Sequence, residues 1–596
     1  MAFLPSESPA ITVREVDLSG IVPAVTSSTG AMAGIFNWGP VESPIRVGNE
    51  AELASNFGSP ALIDSESSID FLSASQFLKY SGSLYAARVV GTGALNAHDS
   101  AEITNAVLVK NSAAWNSNVD TYKNQALLET RKRFVAKYPG AAGNSLAVSV
   151  CPWSYGDNIS EKDDSAFNNW DYRSYFDAAP ATSDYVKARS AFPDSAHDEV
   201  HVAIIDQEGL FSGTKNTVLE VYPFVSLAKD AKKSDGTSNF VVDVVNNQSS
   251  FVWCAALDST RPTNLNASEF TNTTIDGYGE YVRTQGFKAG KQGVVPTKAE
   301  YLAAYEGYSD EETIQIDMLI APGLTTVTND HRNLVDSLTS IAALTRKDCV
   351  VVASPPRNKV VNVSDTNTIT TNVKAFADSC ASSSYLILDN NYLKVYNKYK
   401  DKYEYIPAAS STAGLMAATD NVAAPWYSPA GQRRGQYFGV SSLAWSPSKS
   451  QRDTLYKAGV NPIVSFPGQG ILLFGDKTKL NRPSAFDRIN VRRLFLLMER
   501  SIKTAAEQVM FEFNDEFTRA EFVNIVEPFL RNIKGRRGIT DFRVVCDETN
   551  NTAQVIDTNQ FVADIYVKPA RSINYVTLSF VAVRTGVDFE EVVGLA

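Results

Sequence analysis

The chain is poor in the side chains that usually carry chemistry. Its 596 residues include only 4 histidines and 5 cysteines. The cysteines (Cys151, Cys254, Cys349, Cys380, Cys546) are far apart, form no Cys-x-x-Cys pair and are odd in number. That excludes a disulfide framework or a cysteine zinc site and fits reduced thiols. No run of 18 apolar residues occurs, so no membrane-spanning helix is expected. The first residues, MAFLPSESPAITVREV, lack a charged stretch followed by an apolar core and do not read as a secretory signal. Positive charge is also short: the formal net charge is −11, which removes any global electrostatic case for binding nucleic acid. What is abundant is apolar residue, 44% against 20% charged, the balance of a long chain with several buried cores.

The catalytic near-matches fail on chemistry. "HDEVH" spaces His197 and His201 four apart, but Asp198 stands where a zinc protease needs glutamate, and the segment continues into the strand-like "VHVAIID". On a strand those rings would be about 13 Å apart, so both are expected as surface strand histidines. "GFKAGKQG" (286–293) is one residue short of a phosphate loop, and Gln292 replaces the Ser/Thr that would hold Mg²⁺. "DHRN" (330–333) shares two letters with a kinase catalytic loop and has none of its companions. No Gly-x-Ser-x-Gly elbow is present, and nothing singles out a carboxylate pair for glycoside hydrolysis. No catalytic residue, metal or cofactor is expected.

Patterning divides the chain into an arm (1–20), a first α/β segment (21–95), a short polar irregular insertion (96–135), a β-rich insert (136–310), a second α/β segment (311–483), a C-terminal domain (484–585) and a second arm (586–596). In the arm, Ile11, Val13 and Glu15 alternate with Thr12, Arg14 and Val16. That is a strand with no nearby hairpin partner, and an unpaired strand seeks an edge. "TGVDFEEVVGLA" at the other end, with Val587, Phe589, Val592 and Val593, has the same character. Two edge-seeking arms on one large body suit assembly by strand addition. In the insert, "NSLAVSVCPW", "EVHVAIIDQEG" and "NFVVDVVNNQS" are expected as strands. From 311, "IQIDMLIAPG", "HRNLVDSLTSIAALTR" and "DCVVVASPP" follow β–α–β order, with Leu334, Leu338, Ile341 and Leu344 at helical spacing, which predicts a parallel sheet. "YLKVYNKYKDKYEYIPAA" predicts a hairpin. "DEFTRAEFVNIVEPFLRNIKG" predicts a helix kinked at Pro528. Three strands follow: "DFRVVCD", "QFVADIYVKPA" and "SINYVTLSFVAVR".

"SAFDRINVRRLFLLMERSIKT" (484–504) concentrates positive charge on one helix. Val491, Phe495, Met498, Ile502, Ala505 and Val509 form its apolar stripe, widened by Leu494 and Leu497. Arg492, Arg493, Arg500 and Lys503 fall beside that stripe with Glu499 and Glu507. Three readings stay open: a core helix with a solvated, partly self-paired charged face; a basic ridge for an acidic protein partner; and nucleic acid, which lacks aromatic interleaving or a groove-reading motif.

"GAMAGIFNWGPVESPIRVGNEAELASNFG", "DNVAAPWYSPAGQRRG", "LYKAGVNPI", "SAFDRINVRRLF" and "FRVVCDETNNTAQVIDTNQFVADIYVKPARSINYVTLSFVA" together resemble the contractile tail sheath family of myophages, of the T-even-like kind, over about 1–95 and 311–596. The middle resembles it less, and 96–135 is too short for the further outward domain of larger relatives. The resemblance implies an α/β and α+β multidomain fold: an inner core from the N- and C-terminal portions, an inserted β-rich outer domain and extended terminal arms. It implies a structural, non-enzymatic subunit that stacks as hexameric rings in a helical polymer around a tail tube, contacts baseplate and terminator proteins, contracts on stored lattice energy to drive the tube through the host envelope, and neither binds nucleic acid directly nor inserts in membranes. It implies a place in the virion, after assembly in the bacterial cytoplasm. Carried over by position, the arm strands are 11–18 and 587–593, with Gly20 and Gly586 as hinges. The tube-facing candidates are Arg492, Arg493, Arg500 and Lys503, or alternatively Arg531, Lys534, Arg536 and Arg537. A related contractile injection system, or a tail-associated hydrolase with its site in 136–310, are the alternatives.

Overall fold

The computed structural model describes residues 28–60, 65–99, 107–125, 134–152, 165–191, 196–255, 266–269, 282–324, 328–572 and 574. Both arms, with Ile11, Val13, Glu15, Val16, Gly20, Gly586, Val587, Phe589, Val592 and Val593, lie outside these residues, as does most of the third expected C-terminal strand. The chain divides into a larger unit, 24–425 with 429–501, and a smaller one, 426–428 with 502–596 and the first 23 residues. The division falls within the helix Ile489–Ala506. That helix starts inside the larger core, where Ile489 and Leu496 are buried.

The larger unit is built on a seven-stranded sheet in the order Val460–Asn461, Leu386–Asp389, Val350–Ala353, Met318–Ile320, Gly30–Ile35, Leu84–Val89, Ile45–Val47. All neighbours are parallel except the last pair. The strands are apolar on both sides because helices cover both faces. Ala31, Ala33, Leu319, Val351 and Leu388 pack in one core with residues of the helices Lys298–Glu306, Thr328–Ser340 and Thr366–Ser379. Met32, Met318, Ile320, Val352 and Ile387 pack in the other with Ser65–Leu78 and Ala409–Val422. Small residues on the strand Gly30–Ile35 permit this approach: a Cβ on Gly30 would stand 2.6 Å from the Phe77 ring. One sheet therefore joins chain segments on either side of the insert, as the inserted-domain reading requires. The helix from Thr328 ends in a π-helical turn, Ile341–Arg346. That turn carries Leu344 off the expected stripe, leaving it 73% exposed, while Ala342 takes the core position.

The insert carries an antiparallel sheet in the order Thr217–Ser226, Glu199–Asp206, Leu146–Pro152, Arg283–Gly286. Two expectations need correction here. "NFVVDVVNNQS" forms the helix Val241–Gln248: its β-branched composition suggests a strand, but Val241, Val242, Val244 and Val245 share one helical face and are buried. The 96–135 insertion is not wholly irregular, since it contains the helix Ser112–Gln125. Trp115 from that helix stacks on Trp253 at 5.0 Å and is buried there.

Arg88 staples the insert to the sheet. Fully buried at the end of Leu84–Val89, it donates to the carbonyls of Phe36 (2.8 Å), Gly39 (3.0 Å) and Pro139 (2.6 Å) and to Oε1 of Gln292 (2.8 Å). Only a planar guanidinium serves this many acceptors at once. Burial pushes its pKa down to about 9.

In the smaller unit, Asp515 caps the helix Glu516–Gly535 through Thr518 N (2.8 Å). The helix runs on through Pro528 and buries Phe522, Val526, Leu530 and Ile533. The chain then forms an antiparallel hairpin, Ile539–Val545 with Asp564–Pro569. A Cβ on Gly538 would stand 3.1 Å from the Trp426 ring, so the turn into the hairpin has no room for a side chain.

Candidate functional site

The charged helix Ile489–Ala506 is not a stripe with a solvated basic edge. In its first half Val491, Arg492, Arg493, Leu494, Leu496 and Met498 are all buried. Arg492 donates to Oγ of Ser384 (2.7 Å) and lies over the rings of Tyr385 (4.3 Å) and Phe486 (4.1 Å). Burial lowers its pKa. Arg493 pairs with Asp420 at 2.5 Å and donates to Met416 O (3.1 Å). Arg500 pairs with Asp317 at 2.6 Å and donates to the carbonyls of Ile316 and Asp348, each at 3.0 Å. Asp317 and Asp348 stand just before the adjacent strands Met318–Ile320 and Val350–Ala353. Asp348 in turn holds the buried Arg346 at 2.9 Å. Burial pushes the Asp317 carboxyl up, with the Arg500 guanidinium as the first of the opposing influences. The three arginines thus anchor the helix to the N-terminal ends of the sheet strands and to the helix Ala409–Val422. The sequence pattern places them beside the stripe correctly; it does not show that the larger core closes over that side as well. Of the first candidate set only Lys503 is exposed.

The second candidate set has the opposite character. Arg531, Lys534, Arg536 and Arg537, at the end of Glu516–Gly535, are all exposed. Arg531 pairs with Glu527 (2.7 Å) one turn back, and Lys534 with Asp541 (3.0 Å) on the hairpin. Arg536 lies 4.9 Å from the Trp426 ring, and its carbonyl accepts from Trp426 Nε1 (3.2 Å). These contacts hold the charges in place while leaving them in water. Among the described residues the neighbouring hairpin is a two-stranded sheet.

The catalytic near-matches resolve into packing. His201 is buried rather than on the surface: its Nε2 lies 2.7 Å from Ala178 O, its Nδ1 accepts from Phe224 N (3.1 Å), and its ring stacks on Phe176 at 4.5 Å. His331 of "DHRN" is buried with Nε2 2.8 Å from Ser354 O, and burial pushes its pKa down to about 4. In "GFKAGKQG" the Gly290 amide donates to Asn144 Oδ1 (2.8 Å) and Gln292 is held by Arg88, so these groups are taken up by the protein itself. The five cysteines are buried, and among the described residues none forms a disulfide. Among the described residues no group of three or more His, Cys, Asp or Glu is placed to hold a metal.

Charge used for internal anchoring, a doubly wound body interrupted by a β-rich insert, and a small unit with a basic edge together describe a structural building block. Comparison with known proteins identifies which. Family models described as "Phage tail sheath protein central domain" and "Phage tail sheath C-terminal domain" match residues 295–479 and 481–582. The tail sheath protein of Vibrio phage KVP40 is 30% identical over 98% of this chain and 99% of its own. That of Enterobacteria phage T4 is 30% identical over 99% of each. The chain belongs to the phage tail sheath family. The sheath tail protein Lin1278 from Listeria innocua shares the fold, with a TM-score of 0.52 at 12% identity over 93% of this chain and 94% of that one.

Proposed function

We propose that the chain is the contractile subunit of a phage tail sheath: a non-enzymatic protein that polymerises around a tail tube in stacked six-subunit rings, shortens on a baseplate signal, and drives the tube through the host envelope on energy stored in the lattice. The observation that carries this reading is the near-full-length match to two tail sheath proteins. Assembly takes place in the host cytoplasm, with baseplate and terminator proteins at the ends. The arm strands, 11–18 and 587–593, pair with sheets of neighbouring subunits, and the hairpin Ile539–Val545 with Asp564–Pro569 offers such a sheet. Purified protein is expected to form hollow, ringed tubes under the electron microscope. Deleting 1–19 or 587–596 should leave folded monomers that do not polymerise; normal-length polymers from either truncation would refute the arm assignment.

The tube contact falls to the exposed set, Arg531, Lys534, Arg536 and Arg537, joined by Lys503. A contact broken at every contraction is suited to exposed ion pairs of ~0.2–1 kcal/mol each, which hold register and release. Arg531→Glu with Arg537→Glu is therefore expected to weaken co-sedimentation with tube protein, more so at low salt, with no change in melting temperature. Unaltered co-sedimentation would remove the assignment.

A further inference from the structure

Two exposed segments of this chain are chemical complements. The first, "EQVMFEFNDEF" (507–517), has four acidic residues and no basic one. Its aromatic side chains face water: Phe511 is 100% exposed, Phe513 84% and Phe517 72%. Exposed aromatics clustered this densely mark an interaction surface. The second, "KAGKQGVVPTK" (288–298), has three lysines and no acid. Lys288 and Lys291 are exposed, and Val294, 64% exposed, stands beside the exposed Val295.

The lysine–valine loop is rigidly presented. Its main chain is tied at Lys288 to His98 in both directions (2.9 Å each), at Lys291 to Leu95 in both directions (2.9 and 3.0 Å), and at Val294 to Thr92 (3.1 Å). Arg88 fixes Gln292 from beneath. The backbone that carries Lys288, Lys291 and Val294 is therefore preorganised, and little main-chain ordering entropy opposes binding there.

We propose that the acidic aromatic segment 507–517 of one copy docks on the lysine–valine loop 288–298 of a second copy. The contact joins two different patches, so it is heterologous and propagates from copy to copy, as a polymer requires. Its apolar content distinguishes it from the tube contact. Buried aromatic surface holds too firmly for an interface that must release, and suits one between sheath subunits. The acidic residues then set register against Lys288 and Lys291. The proposal rests on the sheath reading.

The test uses full-length protein without tube, scored by electron microscopy and by the concentration at half-maximal light scattering. Glu507→Lys with Glu512→Lys, and separately Lys288→Glu with Lys291→Glu, are each expected to raise that concentration at least tenfold, or ~1.4 kcal/mol per contact. The four substitutions combined restore opposite charge across the interface and should bring it back to within about threefold of the wild type. Phe511→Ser with Phe513→Ser, which changes no charge, should raise it as the reversals do. All these positions are exposed, so melting curves should coincide with the wild type. The proposal is overturned if either reversal or the serine pair polymerises like the wild type, or if the combined variant fails to recover. If the wild type forms no tubes, the sheath reading fails instead.

Discussion

Replacing Arg500 with methionine is expected to cost about 3–5 kcal/mol of stability, the usual loss when one partner of a buried ion pair is removed. Methionine keeps much of the apolar stem but leaves Asp317 buried without its 2.6 Å partner and strips donors from the carbonyls of Ile316 and Asp348. Thr29 N, at 2.9 Å, remains on the carboxylate and cannot neutralise it. Urea unfolding of the monomeric arm-deleted protein at pH 7 would measure the loss. Adding Asp317→Asn should recover much of it, because the stranded charge is gone. The loss should also shrink as pH falls towards 4: burial already raises Asp317 above 3.8, and without Arg500 it takes up a proton more readily still. A loss below about 1 kcal/mol, or one independent of pH, would mean the pair is not the anchor its geometry describes. The same reasoning applies to Arg493 and Asp420, both almost wholly buried. Charge reversal at Arg492 and Arg493 is thus a test of folding, and only the exposed basic edge can be reversed as a test of tube binding.

Much of the body is legible because buried parallel strands leave a distinctive record. "IQIDMLIAPG" and "DCVVVASPP" are short apolar runs flanked by turn residues, with a periodic helix between them, and they form adjacent parallel strands. Gly30–Ile35 pairs in parallel with Met318–Ile320, almost 290 residues on in the chain, and the helix Lys298–Glu306, on the insert side of the expected boundary at 311, packs in the same core. Legibility fails where tertiary context overrides local preference. Val241–Gln248 is rich in β-branched residues, yet its valines recur with helical spacing, and burial offsets their modest propensity cost. His201 sits in a strand as expected, but its burial depends on Phe176 and Ala178, more than twenty residues upstream. The arginines of the long helix are the clearest case. Periodicity describes a helix relative to its own axis, so it finds the stripe and the charges beside it. Whether water or Asp317 lies opposite Arg500 is decided by a strand 183 residues away. The exposed basic edge at 531–537 is readable for the converse reason: few long-range contacts act on it.

Asp389→Asn should stabilise the protein at neutral pH and make its stability less dependent on pH. Asp389 ends the strand Leu386–Asp389 and is fully buried, and burial pushes its pKa up to about 8. One oxygen accepts from Ser354 Oγ (2.8 Å) and the other from Asn391 N (3.2 Å). Ser354 Oγ also accepts from Ala409 N (2.9 Å), so the carboxyl helps fix the start of the helix Ala409–Val422 to the sheet. The folded protein keeps this group protonated at pH 7, whereas the unfolded chain ionises it near 3.8. Its contribution is therefore fully present below about pH 4 and is lost progressively as pH rises to about 8, above which both states are ionised. At ~1.4 kcal/mol per pH unit over that window, the ceiling on the loss is about 6 kcal/mol. Asparagine has the shape of the protonated acid, with an oxygen for Asn391 N and a donor for Ser354 Oγ, and does not titrate. The stability of the Asp389→Asn variant relative to wild type should accordingly rise between about pH 4 and pH 8 and then level off. Because Glu199, which burial raises to about 7, titrates in both proteins, taking the difference removes its contribution. Parallel urea melts at about pH 4.5, 6, 7.5 and 8.5 on arm-deleted monomers would trace the curve. A difference that stays flat across this range would show that Asp389 is ionised in the fold.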